Sequence, residues 1–209
     1  QWNKMVPGDF PFAKYEFLAA LENSDSLGDR TGWYPRFISA SKDNKLIGAL
    51  ILYLKTNSYG EYIFDWAWAN AWQQFGQNYY PKLTAAIPFT PATGSKILTA
   101  PSSHRHEVVR GLLEEALKLE QQLSASTTHI LFSEIEENLI AQKANFTLRK
   151  TFQFHWFNDN YQDFEQFLAA LKQKKRQKIR RERRSINENK DLIIKEIYGK
   201  STSQYSDVF

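Results

Sequence analysis

Asp65 lies in GEYIFDWAWANAW, where Tyr62, Phe64, Trp66 and Trp68 alternate with Ile63, Asp65, Ala67 and Ala69. Strict alternation is strand periodicity, which puts the Asp65 carboxylate on a packed face between Ile63 and Ala67. Burying a carboxylate is costly unless it is paired. Asp65 therefore reads either as a structural hydrogen-bond hub or as an acid or base with a shifted pKa. Glu61 and Lys82 flank the same region and are its expected neighbours. His155 sits in QFHWF, where an imidazole is either a satisfied core group or a general base near neutral pH. His104 and His106, beside Arg105, lack the spacing and companion ligands of a tetrahedral metal site, so no metal is expected.

Two stretches suit anions. TPATGS precedes a helix start and offers backbone amides near it, which makes Thr93 and Gly94 candidate donors. The second stretch is KQKKRQKIRRERR, residues 172–184, with nine of the 27 basic residues and one acid, Glu182. Its charge is +8 against a chain total of +4, so everything outside it sums to about −4. Three readings stay open: a solvated surface helix, phosphate neutralisation on a nucleic acid, and an arginine grip on a phosphate-bearing small substrate or carrier. A nucleic-acid reader usually spreads its charge over a face of the fold, so an acidic body favours a local grip. Lys175 falls on the apolar stripe of Phe164, Phe167, Leu168, Leu171, Ile179 and Ile186, where a purely solvated face would leave the stripe intact.

Residues 62–80 hold eight aromatic side chains, three of them tryptophans. They read as core, with a ligand-stacking wall of Trp66, Trp68 and Tyr80 as the other reading. The nucleotide loops GxxxxGK[ST] and GxGxxG are absent, as is the nucleophile elbow GxSxG.

These residues need elements to hold them. The pattern gives a helix over 10–21 and strands over 36–41 and 46–54 joined by a polar turn, Lys42-Asp43-Asn44-Lys45. The second strand is apolar on both faces and so central. Further strands are expected at 61–68, 82–89, 128–133, 147–157 and 192–197. A helix capped by Ser102 or Ser103 runs through Leu123 with a stripe of Val109, Leu112, Leu113, Ala116, Leu119 and Leu123. Two more helices are expected, over 135–143 and, as one long basic helix, 161–188. The class is α/β (α+β), a mixed central sheet flanked by helices.

Composition sets outer bounds. With 209 residues, 42% apolar and 15% aromatic, the chain can bury a substantial core. The absence of cysteine excludes disulfides, thiolate metal sites and a cysteine nucleophile, and is compatible with a reducing compartment. No run approaches the ~18 apolar residues of a membrane span, and the first residues do not read as a signal peptide. A chain that begins without Met is expected to be a piece of a longer protein.

Taken in order, LAALENSDSLGDRTGW, GEYIFDWAWANAW, YYPKL, PFTPATG, QFHW and KKRQKIRRERR resemble the FemAB-like acyltransferase group, and within it the bacterial peptidoglycan biosynthesis or recognition family. The resemblance spans nearly the whole chain. It implies a GNAT-type (acyl-CoA N-acyltransferase) fold, usually present twice. Residues 1–160 would be the first GNAT-like domain, 161–190 its long basic helix, and 191–209 the start of a second unit or a strand completing the sheet. It further implies that Lys175, Arg176 and Arg180 hold the diphosphate of a nucleotide-linked precursor. The second unit is missing, and so is the Q/R-x-x-G-x-G/A loop of many GNAT enzymes.

The function expected on this basis is cytoplasmic acyl or aminoacyl transfer from a small-molecule or carrier-linked donor to an amine. No tightly bound cofactor is expected; acyl-CoA would be a co-substrate, or an aminoacyl-tRNA the donor. Such transfer needs alignment, removal of the amine proton and stabilisation of an oxyanion. Asp65, Glu61 and His155 are the candidates for the proton, Thr93 and Gly94 for the oxyanion, and Lys82 and Arg105 for phosphate. The rivals are a non-catalytic module that binds a phosphate-bearing ligand, and an RNA-binding protein using the basic helix.

Overall fold

The computed structural model describes residues 1–101, 104–152 and 154–198. The chain divides into two compact units, residues 1–150 and a second starting at Thr151. The first is a mixed α/β unit, consistent with the GNAT-type expectation.

Its frame is one long hairpin. Strands β1 (Trp33–Pro35) and β2 (Ile38–Lys42) run antiparallel to β4 (Tyr53–Lys55) and β3 (Lys45–Leu50) respectively. Asp43 and Asn44, with φ of 49° and 59°, make the tight turn between β2 and β3; left-handed backbone at both positions matches the twist of a two-residue hairpin. The returning arm, expected as a single strand over 46–54, changes neighbours at Ile51-Leu52. Its first half pairs with β6 (Ile97–Thr99), giving the sheet β2-β3-β6. Its second half pairs with β5 (Lys82–Ala85), giving β1-β4-β5-β7, where β7 (Thr128–Ile130) is parallel to β5. The arm is central, as its two apolar faces require. Ala49, Ile51 and Tyr53 enter one core, Leu50 and Leu52 the other.

Helix α3 (Arg105–Gln122) closes the second core with Val109, Leu112, Leu113 and Ala116 buried. Its close approach needs Gly48, because a Cβ there would run into Val108. The expected Ser102 or Ser103 caps lie outside the described residues. Helix α4 (Ile135–Lys143) matches expectation and starts with a capping box between Glu134 and Glu137. The first core is covered by the N-terminal segment, including α1 (Tyr15–Asn23), through Met5, Phe10, Ala13 and Leu18.

Four sequence expectations are corrected. Residues 61–68 form no strand: they are a loop leading into helix α2 (Trp66–Gln74). The alternation spans two structures: Tyr62 and Phe64 take left-handed backbone, with φ of 61° and 50°, while Trp66 and Trp68 lie in the first turn of α2. The strand from Lys82 stops at Ala85, although Ala86 and Ile87 stay buried. The described residues of 147–157 and 192–197 make no strand; strand-like composition without a pairing edge is not enough. The basic segment is not one helix over 161–188. In the second unit α5 (Phe164–Ala170) and α6 (Gln173–Asn187) are separated by extended backbone at Leu171, ψ 153°.

Candidate functional site

The polar centre of the first unit lies on the sheet face opposite α3. The register sets Lys55 of β4 opposite Lys82 of β5, and Tyr53 opposite Thr84. Residues two apart share a face, so both lysines and both hydroxyl groups point the same way. Their counter-charges come from the loop ahead of α2. Lys82 Nζ donates to Asp65 Oδ2 at 2.6 Å, Glu61 Oε2 at 2.8 Å and Ser58 Oγ at 3.0 Å. Tyr79 Oη also donates to Asp65 Oδ2, at 2.6 Å. Asp65 occupies the N-cap position of α2, yet its carboxylate turns away from the helix amides towards Lys82. Lys55 donates to Tyr59 O at 3.2 Å and lies 3.8 Å from the centre of the Trp33 ring. His129 Nε2 meets the edge of the network at Tyr79 Oη, 3.4 Å away, and hydrogen-bonds Thr127 Oγ1 at 2.9 Å. Asp65, Glu61, Lys55 and Lys82 are all closed off from solvent.

Burial and pairing pull these groups in different directions. Desolvation raises the Asp65 pKa, but hydrogen bonds from Lys82, Tyr79 and Ser58 outweigh it and bring the group down to about 2. Asp65 is therefore a firm anion. Glu61 is raised, mainly by burial against the opposing pull of Lys82, and its Oε1 has no partner among the described residues. Lys55 is lowered to about 7 by burial, partly offset by Glu61. His129 is lowered to about 4, first by burial and then by Lys82, so it is neutral at pH 7.

A second group lines an open cleft of about 710 Å³ in the same unit. Thr93, Gly94 and Arg105 all contribute to its wall, together with Lys4, Asp9 and Glu136. The volume lies in the usual range for ligand sites. Arg105 stands at the start of α3, donates to Thr99 Oγ1 at 2.6 Å and lies 3.3 Å from Glu136. The turn is held from beneath. Lys96, buried, donates to Gly94 O at 2.8 Å, Phe132 O at 2.8 Å and Ala92 O at 3.0 Å. Beside it, buried Glu137 accepts from Ser95 Oγ. The Gly94 N–H is committed to Phe132 O at 3.0 Å, whereas Thr93 is exposed. Gly94 is required for packing, since a Cβ there would enter the Phe10 ring.

The expected site residues thus fall into separate places. Asp65, Glu61 and Lys82 meet; Thr93, Gly94 and Arg105 meet; and none of the first three lines the cleft. His155 is neither buried nor in a strand. It is exposed in the second unit and stacked on Phe157, with centroids 6.0 Å apart. The histidine nearest the polar centre is His129, half-buried in β7. Of the aromatics in residues 62–80 only Tyr79 is buried, whereas Trp66 and Trp68 are 44% and 51% exposed. Tyr80 is half-buried and hydrogen-bonds Ser58 at 2.8 Å. Lys175 is exposed, because the break at Leu171 resets the helical phase; half-buried Arg176 takes the inward position, with its Nε unpartnered among the described residues. Arg180 pairs with Glu165 of α5.

Sequence reading missed Lys55, Tyr79, His129, Lys96 and Glu137. Lys55 and Lys96 do carry a signal, as lone lysines abutting apolar runs; the others gain their place only through tertiary pairing. Among the described residues no group of three His, Asp or Glu is placed to hold a metal, and no helix is long and apolar enough to cross a membrane.

A family model for FemAB-like proteins, described as peptidoglycan biosynthesis/recognition, matches residues 1–207. No curated protein and no solved structure matches the chain.

Proposed function

The chain belongs to the FemAB-like family of peptidoglycan biosynthesis/recognition, and on that premise we propose that it transfers an acyl or aminoacyl group to an amine of a cell-wall precursor. The observation that carries this reading is the cleft, whose wall holds both Arg105, at the start of an 18-residue helix, and the exposed Thr93. A helix N-terminus and a guanidinium together suit a phosphate-bearing donor, either acyl-CoA or an aminoacyl-tRNA.

In the transfer, the amine nitrogen attacks the donor carbonyl, forming the new C–N bond. The thioester C–S or ester C–O bond then breaks, and the amine proton ends on the departing group or on solvent. In this reading Thr93, exposed on the cleft wall, is the candidate donor to the intermediate oxyanion. Asp65 and Glu61 are enclosed, so in this geometry they do not reach a cleft-bound amine. Their role in this reading is to fix the loop and α2 on the sheet. That enclosure favours a second reading, a recognition module that binds the donor without turning it over.

The test is a donor screen with acetyl-CoA, longer acyl-CoAs and aminoacyl-tRNAs against amine acceptors. Arg105→Ala should raise the donor KM about tenfold with kcat little changed, the signature of lost uniform binding. Donor binding without any turnover would select the recognition module; neither binding nor turnover would reject both.

A further inference from the structure

We propose that the segment between β4 and β5 is a platform for a neutral glycan, with Tyr59, Tyr62, Phe64 and Trp66 as its stacking surface. The choice of an N-acetylated amino-sugar chain as the glycan rests on the cell-wall reading above; the platform itself rests on three observations.

The segment is inverted in polarity. Its carboxylates, Glu61 and Asp65, are buried, while Tyr59, Tyr62, Phe64 and Trp66 are 68%, 49%, 73% and 44% exposed. Water would favour the reverse. The inversion is also built into the backbone. Tyr62 and Phe64 both hold left-handed φ, uncommon and costly for ring-bearing residues. Glu61 and Asp65, tied to Lys82, hold the loop in that strained form. Tyr59 and Trp66 meet edge to face at 5.4 Å, so the rings are ordered against each other.

The surface is also uncharged. From Tyr62 to Pro81 the single ionisable acid or base among Asp, Glu, Lys and Arg is Asp65, which is buried, in a chain that is 24% charged. Exposed Asn70, Gln73, Gln74 and Gln77 supply amide donors and acceptors instead. Charge complementarity therefore calls for a neutral partner with apolar ring faces and many hydroxyl or amide groups. A lipid surface is met by helices with Lys and Arg on the polar face, and a nucleic acid by cations among the aromatics; this segment contributes no Lys or Arg of its own. Trp68 lies outside the platform, one face being covered by Arg149 at 5.2 Å.

Chitotetraose, an uncharged N-acetylglucosamine oligomer, is the probe. It should bind saturably, with a change in tryptophan fluorescence. Trp66→Ala should weaken binding tenfold or more, Trp66→Tyr should retain most of it, and Tyr15→Ala, at an exposed aromatic elsewhere, should leave it unchanged. Unfolding curves for each variant identify any that fail to fold, in which case Phe64→Ser replaces it. Absence of saturable binding, binding insensitive to both platform variants, or preferential sedimentation with phosphatidylcholine vesicles overturns the proposal. Turnover with a glycan-free amine, measured separately, reports on the transferase reading alone.

Discussion

Lys82 and Lys96 are both buried lysines on the first unit's strands or their edges, yet they are satisfied in opposite ways. Lys82 is neutralised by two carboxylates delivered from one loop. Lys96 meets three backbone carbonyls, and the nearest acids, Glu137 and Glu134, act only through space. Burial consequently lowers Lys96 to about 8, with those acids opposing the shift. The difference separates two tasks. An ionic latch fixes side chains and can be undone by changing one charge. A carbonyl clamp fixes the backbone, here the turn that carries Thr93 and Gly94 into the cleft.

Breaking the latch should have the largest effect. Lys82→Met leaves Glu61 and Asp65 buried and unpaired, which should cost about 3–5 kcal/mol in chemical denaturation. Adding Glu61→Gln and Asp65→Asn should recover part of that loss, because the uncompensated charge is what costs most. Lys96→Met should cost less, about 2–3 kcal/mol, as three carbonyls lose a charged donor. The two variants should also differ in location. Hydrogen exchange should rise around 58–65 in the first and around 92–95 in the second. A rise in both regions in either variant would show the latch and the clamp to be one coupled unit.

The same contrast explains how much of this was legible in the sequence. The hairpin turn at Asp43-Asn44, the two-faced central arm and the α3 stripe were readable because local pattern and tertiary burial agree. The meeting of Asp65, Glu61 and Lys82 was readable too, since buried charge demands a partner and these three were close in sequence. Residues 61–68 misled because alternation measures direction, and left-handed Tyr62 and Phe64 alternate without pairing. His129 and Lys96 went unread because their partners leave no local pattern: Tyr79 meets His129 from 50 residues away, and Lys96 is held by backbone carbonyls. Lys175 was misplaced by assuming one helical phase across Leu171.

The pH dependence sharpens the latch further. His129 has a folded pKa of about 4 against an ordinary 6.5. Between those values the unfolded chain takes up a proton that the fold refuses, so stability falls as pH drops from 6.5 to 4, with a slope approaching one proton. Glu61 works in the other direction, since its raised pKa lets the fold take up a proton more readily than the unfolded chain does. Asp65, lowered to about 2 from 3.8, contributes stability that disappears only as pH falls through that lower range. His129→Gln should therefore flatten the slope between pH 6.5 and 4 and leave the loss below pH 4 in place. An unchanged upper slope would assign it to other groups.

The smallest effects belong to α6, where charge is mostly solvated. The exposed Arg180–Glu165 pair should be worth about 0.5 kcal/mol or less, so Arg180→Ala should barely move the unfolding midpoint. Function is a different matter, because Arg176 alone among Lys175, Arg176 and Arg180 is half-buried, with Nε unpartnered among the described residues. If the helix grips a diphosphate locally, Arg176→Ala should weaken pyrophosphate binding several-fold while Lys175→Ala does little. If it tracks RNA, the two should act alike, each removing roughly one unit from a steep salt slope. Charge count alone predicts equality between them; only a local grip makes the half-buried arginine matter more than the exposed lysine beside it.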